Sequence, residues 1–186
     1  MTDSSSLNVR KIAQEGSVAA WWSRQLEELI DAPGLQRELR RGRRYAEEGR
    51  VVSLDIAAGR VSALIQGTRP EPYRVQLDTQ VLSAARWEAL CAQLLANPSI
   101  WLRLKGGALP PEARQWGIVP REPIELDLRC SCPVRDLFCK HAAAAVYALA
   151  ARAAREPAVL LAWRGRSTHA IDARLQRGEQ RAGEVA

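Results

Sequence analysis

The chain has 186 residues, 47% of them hydrophobic, and a formal net charge of +6. This excludes a mainly disordered polypeptide and leaves enough apolar mass for one domain of moderate size plus tails. The longest apolar stretch, Ala142 to Ala151, is well short of the ~20 residues needed to span a bilayer. Residues 1 to 18 carry Asp3, Arg10 and Lys11 and no continuous apolar block, so no membrane helix and no secretory signal are expected, and the expected compartment is the cytoplasm.

Residues 1–16 are Ser-rich, polar and without a strong period, and read as a disordered N-terminal tail. From Ser17 to Ile30, Val18, Trp21, Trp22, Leu26, Leu29 and Ile30 recur at helical spacing up to Pro33-Gly34. A second helix follows, with Leu35, Leu39, Tyr45 and Ala46 on its apolar side and Gly49 as C-terminal cap. Alternation then replaces helical spacing: Val52, Leu54 and Ile56, then Val61, Ala63 and Ile65, then Tyr73, Val75 and Leu77 predict a three-stranded antiparallel meander.

Ser83 caps a further helix bearing Trp87, Leu90, Cys91, Leu94 and Leu95, closed by Asn97-Pro98. Cys91 belongs to that apolar stripe and reads as core filling. Between Ser99 and Pro120 short helices joined by turns are expected, and Ile124, Leu126, Leu128 and Cys130 alternate as one more strand. After Glu156-Pro157 a short helical segment holds Val159, Leu160, Leu161 and Trp163. Residues beyond about 166 look poorly buried, and His169 there reads as solvated. The expected fold class is α+β, an antiparallel meander packed with several helices.

Cys130, Cys132, Cys139 and His141 concentrate the chemistry: Cys-x-Cys, a six-residue gap, then Cys-x-His. Residues two apart in a strand share a face, so Cys130 and Cys132 can meet one ion. Asp136 is a suitable N-cap for the alanine-rich helix that follows, whose first turn presents Cys139 and His141. Three thiolates and one imidazole form a closed tetrahedral set with no position for water or substrate, which suits one structural Zn2+. The segment is too short to build a core alone, so the ion contributes on the order of 10 kcal/mol to local folding. Buried thiols or a disulfide are the alternative, but cysteines two apart rarely form a relaxed disulfide.

This order of ligands, with Cys132-Pro133, Cys139-Lys140-His141 and the alanine-rich helix, resembles the SWIM zinc finger. Arg41-Gly42-Arg43-Arg44-Tyr45-Ala46-Glu47-Glu48-Gly49-Arg50-Val51 and the strands after it look like the segment preceding the finger in bacterial SWIM proteins. The resemblance implies a small ββα finger around zinc and a role in binding DNA or protein, with bacterial relatives often associated with Swi/Snf-type helicases. The expected organisation is a tail (1–16), a helical and meander region (17–120), the finger (121–156), and a short helix with C-terminal tail (157–186).

The chain holds no Gly-rich phosphate loop such as Walker A, and its two histidines are few for acid–base chemistry once His141 is a ligand. Glu125 and Asp127 face outward on an alternating strand. The expectation is a binding module, neither an enzyme nor a receptor for a small-molecule substrate. In the first reading Arg37, Arg40, Arg41, Arg43, Arg44 and Arg50, with Arg129, Arg135 and Lys140, meet DNA phosphates in a salt-dependent, sequence-tolerant way.

Positive charge alone favours polyanions only weakly here, because all basic residues except Lys11, Lys105 and Lys140 are arginine throughout. In the second reading Val134, Leu137 and Phe138 face a protein such as a Swi/Snf-type helicase, and the chain is an adaptor without nucleic-acid contact. The six tryptophans lie mostly at core spacing and do not suggest a base-stacking platform. Oxidation of a ligand cysteine would eject the ion.

Overall fold

The computed structural model describes residues 21–134 and 138–183, with side chains to residue 178. The expected tail of residues 1–16, the helix start at Ser17 and Val18, and Arg135, Asp136 and Leu137 lie outside the described residues. In chain order the elements are helices α1 (Trp21–Glu28) and α2 (Gln36–Glu47), strands β1 (Val51–Ala57), β2 (Arg60–Ile65) and β3 (Tyr73–Asp78), and helices α3 (Ala84–Ala96) and α4 (Pro98–Lys105). Two 3-10 turns (Pro111–Trp116 and Pro123–Glu125) lead to β4 (Asp127–Cys130), then α5 (Lys140–Arg155), α6 (Ala158–Trp163) and α7 (Thr168–Gly183). The class is α+β, with an antiparallel sheet in the order β1-β2-β3-β4.

The meander buries one face, as its alternation requires: Val61, Ala63, Ile65, Tyr73, Val75 and Leu77 are all within the core. β4 extends the sheet along β3, with Cys130 opposite Val75 and Leu128 opposite Leu77. The strand is shorter than the alternation suggested. Pro123 starts a 3-10 turn that carries Ile124 into solvent at 90% exposure, and pairing begins at Asp127.

Every residue from His141 to Ala151 in α5 is buried, the pattern of a helix surrounded by protein rather than lying on a surface. α5 packs on α2 and α1 with one side and on all four strands with the other. Its alanines permit this, since short side chains let neighbouring backbones approach from several directions.

The closest approach is at Gly42 of α2, where a Cβ would sit 2.2 Å from Ala143 Cβ, 2.8 Å from Lys140 O and 2.9 Å from Ala144 N. α2 therefore crosses α5 with almost no clearance. Leu39, Gly42, Tyr45 and Ala46 form its buried stripe. Gly49 ends the helix with φ of 72°, and Gly49 N and Arg50 N donate to Ala46 O (3.2 Å) and Tyr45 O (3.0 Å), the Schellman arrangement that glycine supports.

Ser83 caps α3 as expected, its Oγ accepting from Arg86 N at 3.3 Å, and Cys91 is buried in the stripe. The C-terminal end corrects the sequence reading. Residues beyond 166 form α7, in which Ile171 and Leu175 are buried. A stripe of two apolar residues one turn apart is too narrow to stand out from sequence. Polar ties complete the docking: Asp172 accepts from Trp101 Nε1 (2.6 Å) and Lys105 Nζ (3.1 Å), and Arg174 pairs with Glu88 (2.7 Å). His169 is exposed, as expected.

Replacing a helix glycine by alanine ordinarily adds about 0.5–1 kcal/mol of stability. At Gly42 the sign reverses, because the new methyl meets backbone atoms that cannot move aside. Gly42→Ala is expected to lose about 1–3 kcal/mol, read as a lower urea midpoint at unchanged slope. An unchanged or higher midpoint would show that the two helices do not touch there.

Candidate metal centre

Two ends of secondary structure make the site. Cys130 closes β4, and the next residue is held to β3 in both directions: Ser131 N donates to Arg74 O and Arg74 N donates to Ser131 Oγ, each at 2.9 Å. This double bond fixes the chain between Cys130 and Cys132. Cys139, in place of the expected Asp136, is the N-cap residue of α5, and His141 lies in its first turn. The helix start is anchored from α2, where Glu38 Oε2 accepts from Lys140 N at 3.2 Å. A carboxylate at that position satisfies a backbone donor left over by the helix and suits the positive end of its dipole.

The four donor atoms lie within 4.8 Å of one another. His141 Nδ1 is 3.9 Å from Cys130 Sγ and 3.9 Å from Cys139 Sγ. A zinc ion about 2.3 Å from sulfur and about 2.0–2.1 Å from nitrogen spaces tetrahedral donors roughly 3.5–3.8 Å apart. The donors therefore stand close to the geometry the ion requires, and Nδ1 is the nitrogen that faces it. Cys139 and His141 are buried, Cys130 and Cys132 half-buried, and all four cysteines of the chain are free thiols. Cys91 stands outside the group. A soft, closed set of this kind fits one structural zinc.

The imidazole is held by packing. It stacks on Tyr73 with ring centres 4.3 Å apart and planes 26° apart, and Tyr45 covers it at 5.8 Å. Gly67 makes room for this: a Cβ there would fall 2.5 Å from the Tyr73 ring and 3.4 Å from His141 Nε2. The Nε2 atom is buried without a hydrogen-bond partner among the described residues, where two aromatic faces take the place of the usual carboxylate or carbonyl that orients a ligating histidine.

Within the cluster the sulfurs differ. The Cys139 thiol is driven well below its ordinary range, first by the hydrogen bond from Cys130 and then, against the cost of burial, by those from His141 and the Ala142 backbone. Cys130 is pushed up by the same contact with Cys139 and by burial, and Cys132 is pushed up chiefly by burial.

The sequence-selected basic residues do not form one uniform face. Arg43 pairs with Glu27 at 2.7 Å and lies over Tyr147 at 4.4 Å. Arg41 pairs with Glu38, Arg44 and Arg50 with Glu48, and Arg129 with Asp127. Arg37 and Arg40 are exposed and make no ion pair among the described residues. Lys140 Nζ and Arg50 Cζ lie 5.2 Å and 4.7 Å from the Tyr45 ring centre.

Two cations at the knuckle were not singled out from sequence. Arg69 lies over Tyr73 at 5.7 Å, and Arg74 is the exposed residue bonded to Ser131. The signal available was their position on either side of Tyr73, meaningful only once the sheet register places Tyr73 against His141. Phe138 is buried, contrary to its expected exposure, whereas Val134 is 50% exposed. The tryptophans are core residues: Trp22, Trp87, Trp101, Trp116 and Trp163 are all buried and Trp21 is half-buried.

Zinc uptake must displace the protons of thiols, and Cys130 and Cys132, both pushed up, hold theirs more firmly than Cys139, which is driven down. Protons are therefore expected to leave on ion binding, and affinity rises with pH and falls on acidification. Calorimetry in buffers of different ionisation enthalpy measures the proton count. Metal analysis is expected to give one zinc per chain, lost in Cys139→Ser with a drop in thermal midpoint. Full zinc content in that variant would remove Cys139 from the ligand set.

Residues 117–150 match the family model of the SWIM zinc finger. The uncharacterized protein Rv2102 of Mycobacterium tuberculosis is 34% identical over 174 residues, which cover 90% of this chain. The chain spans 63% of the length of that relative. No solved structure matches. The matched segment contains β4, the four donors and most of α5, so the cluster and the match together support a SWIM-type zinc-binding module that fits one structural zinc.

Proposed function

We propose that the protein is a non-catalytic, zinc-dependent module that binds nucleic acid, DNA in the first instance, through the cationic rim of its knuckle. The observation that carries this reading is the placement of Arg69, Arg74 and Lys140. All three surround the Tyr45–His141–Tyr73 stack or the Cys130–Cys132 turn, and none makes an ion pair among the described residues. Arg50 and Arg129 flank them, each with one carboxylate partner. Exposed pairs of this kind contribute little, because solvent and salt screen them, so a phosphate can replace either carboxylate at little cost. Arg37 and Arg40 on α2 are exposed, Arg40 beside a recess that also holds Glu27, Glu28 and Asp31, and they stand apart from this rim.

The contacts this rim offers are to phosphates, so binding is sequence-tolerant. The adaptor reading has less support, because of its two apolar residues that are described Phe138 is buried and Val134 is exposed. A Swi/Snf-type helicase as motor partner, and the cytoplasm as compartment, belong to the proposal on the family resemblance and on composition. No helix of the described residues is long and apolar enough to cross a membrane.

The test is equilibrium binding of the zinc-loaded chain to double- and single-stranded DNA over a range of salt. Three to five phosphate contacts give a slope of log affinity against log salt of about −2.7 to −4.5 on duplex. Arg69→Ala, Arg74→Ala and Lys140→Ala are each expected to reduce that slope by about one with zinc content unchanged. Arg60→Ala, which breaks the bidentate pair with Asp78 at the far end of β3, is expected to leave it alone. No binding, or binding indifferent to salt, would give the function to protein docking instead.

A further inference from the structure

At the end of β3 and β4 remote from the zinc donors lies a recess of about 420 Å3 lined by Thr79, Ser83, Arg86, Ile124, Glu125 and Arg164 among others. Arg164, directly after α6, is 4% exposed. Its backbone is fixed, with Arg164 O accepting from Leu82 N at 3.0 Å and Arg164 N donating to Leu160 O at 3.0 Å. Its guanidinium has one hydrogen bond, from Nη1 to Thr79 Oγ1 at 2.7 Å. Nε is buried without a partner, and no carboxylate forms an ion pair with the group among the described residues.

A guanidinium carries five donors and stays charged. Burying one with a single hydrogen bond and no direct ion pair is costly, and a further negative group in the recess would offset that cost. The carboxylate lining the recess, Glu125, acts on Arg164 from a distance without pairing to it, its Oε1 accepting from Arg121 N at 2.8 Å and Glu122 N at 3.1 Å. A second guanidinium, Arg86, stands at the same opening in the first turn of α3, whose 13 residues direct their unpaired N–H groups toward the Ser83 end. Burial pulls Arg164 below the usual arginine range, with Glu125 opposing that fall and Arg86 adding to it. The exposed side chains of Ile124 and Val81 give the mouth an apolar edge.

We propose that this recess binds an oxyanion, a phosphoryl or carboxylate group held by the Arg164 guanidinium and closed from the rim by Arg86. Guanidinium groups meet both kinds of oxyanion through paired N–H···O bonds. The site is independent of the zinc donors and of the cationic rim proposed for nucleic acid. It neither needs that reading nor supports it.

The experiment is thermal unfolding of the zinc-loaded full chain against inorganic phosphate and, separately, butyrate, with chloride holding ionic strength constant. A saturable rise in midpoint is expected with at least one probe. A response confined to phosphate identifies a phosphoryl ligand, and one confined to butyrate a carboxylate with an apolar body against Ile124. Arg164→Met is expected to weaken the apparent affinity about tenfold or more, the loss of one charge-assisted bond or a pair of them.

Arg86→Gln, at an exposed position that does not test folding, is expected to weaken the response several-fold. Glu125→Gln is expected to strengthen it by removing the competing charge while keeping the Oε1 acceptor. If Arg164→Met does not fold, the Arg86→Gln and Glu125→Gln pair decides the matter by moving in opposite directions. A wild-type midpoint unmoved by both probes, or equal shifts in wild type, Arg86→Gln and Glu125→Gln, would overturn the assignment.

Discussion

A helix enclosed on every side cannot choose where its first turn points, and α5 is such a helix. Strands cover one side of it, α1 and α2 the other, and Gly42 brings the α2 backbone into contact with Ala143 and Ala144. The direction of Cys139 and His141 is therefore set by core packing. Cys130 is placed just as firmly, by its pairing with Val75 on β3 and by the two bonds between Ser131 and Arg74. The ion fits where these two independently fixed ends meet. It ties a strand terminus to a helix terminus and closes the short segment between them, which makes metal binding and core packing one cooperative event.

The electrostatics follow from the same placement. A divalent ion with three thiolates carries one net negative charge, and it lies at the positive end of the α5 dipole with Lys140 in the first turn. Glu38 at 3.2 Å from Lys140 N adds a second negative group at that end. Arg41, paired with Glu38, and the cations above Tyr45 and Tyr73 offset the accumulation. Part of the positive charge near the knuckle thus balances the site itself, and the remainder faces solvent.

The ligand set was legible because its spacing brings donors together at both ends: a helix start joins Cys139 to His141 as expected, whereas β4 ends at Cys130 and Cys132 follows in the turn instead of continuing the strand. The meander was legible for the same reason, since alternation in β1 to β3 needs no partner to be read. What surrounds the ion was not. Glu38, Gly42 and Tyr45 repeat at helical spacing on α2, yet in sequence that helix is first of all basic, and nothing local marks Gly42 as a crossing point or Tyr45 as a cover for His141. Tyr73 and Gly67 are likewise ordinary strand and turn residues until the sheet register sets them beside the imidazole. The narrow apolar stripe of α7 was hidden by the same limit, because the docking surface on α3 and α4 decides it from a distance, whereas the shortening of β4 has a local cause in Pro123, which the alternation of Ile124, Leu126 and Leu128 masked.

The SWIM match, residues 117–150, stops short of everything that holds the finger from outside: β3, α2, Tyr45, Tyr73 and the Glu38 cap all precede it. An isolated fragment of that segment would keep four donors but lose the strand that positions Cys130, both rings that orient His141, and the helix that buries α5. Apolar surface of the Ala142–Ala151 run would then meet water with no compensating contact. The metal can close a loop, but it cannot replace that burial. On physical grounds the cooperative unit is therefore the finger together with the sheet and α2, and the match with the relative covers 90% of this chain, well beyond residues 117–150.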